Sequence, residues 1–194
     1  YADLFNQYSE ESSDKRAGVS GSINFRGIEG LEIAAVAGID YVLSEKLGIT
    51  PPTAYSEITS GVPERERGKL TKDKNTTMNL SSNVRVTYNR AFGKHDLTLG
   101  ANFDFYSDHY DNLGITGYGL TKKMQSASGV NQSIEGNRKP SFTSKNEKTA
   151  QLGIGVLAGY SWNNIYDLFG TYKSDASSIL PSDKRWNSAW AVGA

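Results

Sequence analysis

Few residues in this sequence have the type and spacing to do chemistry, and most of those read more simply as structure. His109 stands in YSDHYD between Asp108 and Asp111, and imidazole with carboxylates makes a workable ligand set for a divalent metal. Yet neighbours along a strand point to opposite faces, which parts His109 from Asp108. The other histidine, His95, lies in the turn-like stretch AFGKH. A solvated strand-to-loop junction is the better reading of His109, and turn chemistry of His95. Asp40, Asp104, Asp167 and Asp175 could serve as general acids or bases only if two such groups converged on one cavity. Their places in alternating segments favour pairing across strands with Arg85 or Lys173. The absence of cysteine removes thiol nucleophiles, cysteine-bound metals and disulfide scaffolds. No G-x-S-x-G elbow appears, and the G-x-G matches at Gly117 and Gly153 precede no helix, so they are not phosphate loops. The residues point to no enzyme, no metal and no cofactor.

Bulk properties narrow the class further. In 194 residues, 21 Lys and Arg balance 21 Asp and Glu, which gives no support to a nucleic-acid groove or a polybasic membrane patch. The longest apolar run, residues 33–39, falls far short of the roughly 18–20 residues a spanning helix requires. The sequence opens on Tyr1 without a charged, apolar leader and stops at Ala194 inside a strand-like pattern. An internal fragment is expected.

The elements that must position these residues show period two. In residues 75–111, Leu80, Val84, Val86 and Tyr88 alternate with Asn79, Ser81, Asn83, Arg85 and Thr87; after a tight turn, Leu97, Leu99, Ala101, Phe103 and Phe105 alternate with Thr98, Gly100, Asn102, Asp104 and Tyr106. Such alternation marks strands with one apolar and one polar face. It lasts about ten residues per arm, against about five or six in an ordinary soluble strand. The same pattern runs through residues 17–26, 31–43, 147–163, 165–178 and 185–194. Residues 1–16 are polar and read as the tail of a loop.

The connections alternate too. Residues 27–30, 91–95 and 163–164 are short turns, whereas residues 44–74, 112–146 and 179–184 are longer, and all five prolines fall in the longer class, as expected of a residue that cannot donate to a strand ladder. Long alternating strands with short turns on one rim and long loops on the other predict an all-β, antiparallel, up-and-down transmembrane β-barrel. A soluble antiparallel sheet or sandwich with one wet face alternates in the same way; strand and loop length favour the barrel. Aromatics near strand ends (Phe25, Tyr41, Tyr88, Trp162, Tyr166, Trp186) suit interfacial girdles. Tyr106, Tyr110 and Tyr118 are the ligand-contact candidates, since aromatic faces at a barrel mouth can stack on sugars or peptides. The alternating charges Glu64-Arg65-Glu66-Arg67 read as a solvated loop, with contact to a lid protein as the functional alternative.

The C-terminal stretch LFGTYKSDASSILPSDKRWNSAWAVGA is more specific. Asp175, Ser177, Ser178, Arg185, Trp186, Trp190 and Val192-Gly193-Ala194 resemble a segment of SusC/RagA-type TonB-dependent transporters, and NTTMNLSSNVRVTYNRAFGKHDLTLGANFDF resembles barrel strands of that family. Lys173 replaces the family's usual Arg and Ala176 its common Gly; neither breaks a strand. The resemblance covers nearly the whole chain and implies that residues 1–194 are part of the β-barrel domain, with the plug domain and the closing strands absent. About seven strands cannot close a barrel of about 22. It further implies an outer-membrane transporter importing oligosaccharides, peptides or similar nutrients in Bacteroidetes-type bacteria. A SusD-like surface lipoprotein would serve as lid, and the TonB complex would supply energy through the plug region. A porin or adhesin barrel and a soluble β-sandwich binding module are the rivals.

Overall fold

Side chains that alternate apolar and polar can bury or expose one whole face only if the backbone is extended, and extended it is. The computed structural model describes residues 8–123, 125–135, 138–163 and 165–194. Its strands are β1 (Ser9–Ile28), β2 (Leu31–Thr50), β3 (Lys69–Phe92), β4 (His95–Tyr118), β5 (Ser141–Trp162), β6 (Tyr166–Ser177) and β7 (Trp186–Gly193). They form one open, seven-stranded, up-and-down sheet in which neighbours in sequence are neighbours in space. No helix among the described residues is long and apolar enough to cross a membrane, which says nothing of crossing by strands.

Register preserves the two faces from strand to strand. On one face Val156 lies opposite Tyr172 and Tyr160 opposite Leu168, and on the other Gly153 lies opposite Asp175 and Ser161 opposite Asp167. The apolar row continues into β7, where Tyr172 meets Trp190 and Gly170 meets Val192. A slip of one residue would send each of these rows to the wrong face. The tight turns hold the register: Gly30, Gly93 and Asn163 all adopt positive φ, at 80°, 66° and 54°, the conformation two-residue hairpin loops demand. Asn164, the second residue of the expected Asn163-Asn164 turn, lies outside the described residues, as do Tyr1 to Gln7 of the expected N-terminal loop tail.

The strands outrun the alternation, which corrects three boundaries. β1 begins at Ser9, inside the segment expected to be loop. β2 and β3 extend to Thr50 and from Lys69, so the expected loop 44–74 shrinks to residues 51–68. β4 and β5 reduce the expected loop 112–146 to residues 119–140 in the same way. Backbone pairing continues here while only a few apolar residues, including Leu47, Ile49, Leu70, Leu113 and Ile115, stand among charged, polar and glycine residues, so hydrophobic period two fades although the ladder does not. All five prolines do lie outside the strands.

Two compact units share the chain. A loop unit comprises Tyr1–Arg16, Val42–Thr77 and Tyr110–Glu147, and a turn unit comprises Ala17–Tyr41, Met78–His109 and Lys148–Ala194. In the loop unit, residues 51–68 carry a short helix α1 (Tyr55–Thr59) and a 3-10 turn (Glu64–Glu66). Ala54, Leu70, Leu120 and Ile134 are buried there. They are the buried hydrophobic residues among those described.

In the turn unit the apolar row stays open. Leu99, Val156 and Val192 keep 42%, 48% and 65% of their surface, and a contiguous apolar face of this kind is a surface for lipid or for another apolar partner. Three of its hydroxyls bond one another: Tyr172 Oη donates to Ser188 Oγ at 3.1 Å, and Ser174 and Ser188 share a 2.8 Å bond. Near the turns, Trp162 stacks on Tyr166 at 5.7 Å. Phe92 stacks on His95 at 5.8 Å, and His95 Nδ1 lies 2.5 Å from Tyr160 Oη. His95 therefore does more than serve its turn; it joins one hairpin to the next.

Candidate ligand groove

The polar face of the turn unit forms a groove of about 730 Å³ across β2 to β7. Period two aims Asn83, Asp104, Tyr106, Lys173, Asp175 and Asn187 into it. Gly153 makes room at its floor: a Cβ there would stand 2.9 Å from Asp175 Oδ1 and 3.4 Å from Asp104 Cβ. The glycine thus lets carboxylates from β4 and β6 lean over β5, and its G-x-G context has this packing role.

Two of the four candidate aspartates, Asp104 and Asp175, therefore do meet in one groove. Their partners decide what they can do. Asp104 accepts hydrogen bonds from Asn83 Nδ2 at 2.5 Å and Asn102 Nδ2 at 2.8 Å, one on each oxygen. The expected pairing of Asp104 with Arg85 is replaced by amides. Asp175 pairs with Lys173 at 3.2 Å, along its own strand rather than across, because residues two apart share a face. Both members of that pair are more than half exposed, so solvent screens it and it adds little stability. Carboxylates engaged in this way, in an open groove, can accept further hydrogen bonds from polar groups.

The three tyrosines have different surroundings. Tyr106 lines the groove with 40% of its surface exposed. Tyr110, in the loop unit, donates its hydroxyl to Asn75 Oδ1 at 3.3 Å, and Asn112 bonds the same oxygen. Tyr118 lies with its ring 5.4 Å from the Arg138 guanidinium, and its carbonyl accepts the Asn131 N–H at 2.9 Å. His109 is half-buried on β4, and no group of three potential metal ligands converges among the described residues.

Sequence reasoning missed the clamp of the loop unit. Arg138 Nη1 bonds Glu57 Oε2 at 2.5 Å, and the same oxygen accepts the Gly68 N–H at 3.0 Å. Glu57 keeps only 9% of its side chain exposed. Gly119 N–H donates to Gly68 O at 3.0 Å, so residues 51–68 and 119–140 are tied at two points. Gly119 has φ 74°, and a Cβ there would come within 2.7 Å of Arg65 O; only glycine fits. Of the run Glu64-Arg65-Glu66-Arg67, the first two residues are solvated as expected, whereas Glu66 and Arg67 are half-buried. At the start of β1, Glu10 bonds Lys46 at 2.5 Å and accepts the Tyr8 hydroxyl at 2.6 Å. Lys46 first, then Tyr8, holds the Glu10 carboxyl below its usual range, and Glu10 raises Lys46 in return.

Comparison with known proteins bears on the fold. No protein-family model matches the sequence, and no curated protein matches it either. Among solved structures, the chain is similar to the RagAB peptide transporter, with a TM-score of 0.78 and 19% identity over 96% of this chain and 20% of that one. It is similar to the RagAB peptide importer in its "closed-closed" state, at 0.79 and 21%, and in its "open-open" state, at 0.76 and 20%, with the same coverage. This chain thus spans about a fifth of the length of the structures it matches. Its open sheet has the fold of a section of an outer-membrane transporter's β-barrel wall.

Proposed function

We propose that this chain is part of the barrel of a TonB-dependent outer-membrane transporter of the SusC/RagA type. The transporter takes up nutrients such as peptides or oligosaccharides together with a SusD-like surface lipoprotein. The plug domain, through which the TonB complex acts, and the strands that close the barrel belong to the rest of that protein. The observation that carries the reading is the match of nearly the whole chain to a RagAB wall section, joined to an apolar face left open along the turn unit. The resemblance of the C-terminal stretch to the family supports the same reading. The protein binds and conducts; it does not catalyse.

Within this reading the apolar face meets lipid and the polar face meets lumen, plug or ligand. Tyr106 supplies an aromatic face to the groove, with Asp104 and Asn187 as hydrogen-bonding partners for amide or hydroxyl groups. Tyr110 and Tyr118 already support their loops and offer a ligand only their remaining surfaces.

The test is uptake and co-purification with the intact protein. Affinity purification from solubilised outer membranes is expected to bring down a surface lipoprotein, and uptake of a peptide or oligosaccharide pool is expected to stop when TonB is inactivated. Uptake that persists without TonB would favour a porin and sink the proposal.

A further inference from the structure

We infer that the loop unit carries a basic groove that binds a peptide carboxylate flanked by an apolar side chain. The inference rests on the transporter reading for the ligand being a peptide, and on the groove alone for its charge. The groove, about 910 Å³, lies between residues 52–67 and 119–131. Three lining side chains are cationic, Arg65, Arg67 and Lys122, and one, Glu64, is acidic. That local excess stands out in a chain whose formal net charge is zero.

The backbone sets the cations in place. Arg65 lies in its 3-10 turn with its carbonyl against Gly119 and within 3.5 Å of Asn131 Nδ2. The Gly119 N–H bond to Gly68 O then brings Lys122 to the same groove from the other segment. Arg67 Nε donates to Val62 O at 2.9 Å, which fixes the guanidinium plane. Its terminal nitrogens have no carboxylate partner among the described residues. Among the described residues the Arg65 side chain, itself exposed, pairs only with Glu66, at 3.6 Å, a contact that is weak. The neighbouring carboxylate that could have neutralised the groove, Glu57, is already held by Arg138.

A guanidinium with a fixed plane and a free edge is suited to a carboxylate, which it can bind through two parallel hydrogen bonds. Leu120 forms an apolar floor, 3% exposed, and Ile58 stands at the rim, 51% exposed. Both sit beside the cations, so the groove accepts a leucine-like side chain next to an acidic group. Sugars without charge can accept hydrogen bonds from the cations but cannot form the bidentate ion pair.

The experiment uses the intact membrane protein in detergent and fluorescence anisotropy. The probes are a labelled short peptide of alternating leucine and glutamate with a free C-terminus, and its amidated counterpart with glutamine for glutamate. The acidic peptide is expected to bind at least about tenfold more tightly, as charge-assisted bidentate bonding implies, and to weaken as salt rises. The double variant Arg67→Gln, Lys122→Gln should bind both peptides alike. Lys122→Glu, at an exposed position that leaves the fold undisturbed, should lower the preference on its own. Equal binding of the two peptides to the wild type, or a preference that survives both variants, overturns the inference. If the preference is absent while TonB-dependent uptake persists, the groove fails and the transporter reading stands. If the preference is present without such uptake, the groove's charge selectivity stands and the transporter reading fails.

Discussion

Leu70 in the loop unit has no exposed surface, whereas Leu99 in the turn unit keeps 42% of its own. Both are leucines on long strands of the same sheet. The loop unit wraps its few apolar side chains in its own loops and closes them with a buried ion pair. The turn unit displays its apolar side chains in rows, with three hydroxyls among them bonded to one another. A region surrounded by water must make a core from what it has; a region facing lipid need not, because acyl chains are as apolar as leucine. In the transporter reading, the difference between the two units is the solvent each is built for.

The largest effect separating the two units is expected at Arg138. Replacing it by Met leaves Glu57 buried without its partner, and unpairing a buried ion costs about 3–5 kcal/mol. Limited proteolysis should then cut residues 51–68 and 119–140 while the strands of the turn unit stay protected. Leu70→Ala is expected to cost about 2–5 kcal/mol through the cavity it leaves, and Leu99→Ala much less, since lipid fills the space. Leu99→Arg should cost about 2–4 kcal/mol near the bilayer midplane, with the penalty falling as the same change is moved toward either rim; denaturant unfolding in bilayers measures both series. A penalty independent of depth would mean that a second protein layer covers this face.

The smallest effect is electrostatic. Because Lys46 and Tyr8 hold Glu10 below its usual 4.5, their contribution is complete above that value and is lost as pH falls through the lowered one. Lys46 is raised above 10.5, so the pair also dissolves in strong alkali. Amide protection at the start of β1, corrected for the intrinsic pH dependence of exchange, should fall in acid as the Glu10 carboxylate is protonated in the wild type, and Lys46→Ala should remove most of that acid limb.

Legibility in the sequence follows the same division. Leu152, Ile154, Val156, Ala158, Tyr160 and Trp162 announce a strand and its face because apolar side chains recur at every second position between polar and small ones. Residues 9–16 are polar on both faces, and in 44–50 and 69–74 only Leu47, Ile49 and Leu70 stand among charged and small polar residues, too few to separate paired strand from loop. The groove is half legible: Asp104, Tyr106 and Asp175 fall on polar faces by period two, but their meeting over Gly153 depends on register across three strands. The Glu57–Arg138 pair joins residues 81 apart, a separation no local pattern spans, and the charges of residues 64–67 are far more conspicuous. Gly68 and Gly119, one at each loop margin, are its available signal.

Whether the apolar face of the turn unit meets lipid can be read directly. The chain has no cysteine, so single cysteines can be placed at each position from 97 to 106 of the intact protein, spin-labelled and reconstituted in bilayers. Collision rates with oxygen, which concentrates in lipid, and with a water-soluble nickel complex are then measured by electron paramagnetic resonance. A lipid-facing row gives high oxygen access at residues 97, 99, 101, 103 and 105, and low access at the residues between them. Low access to both reagents along the odd positions would place that face against protein and contradict the lipid assignment.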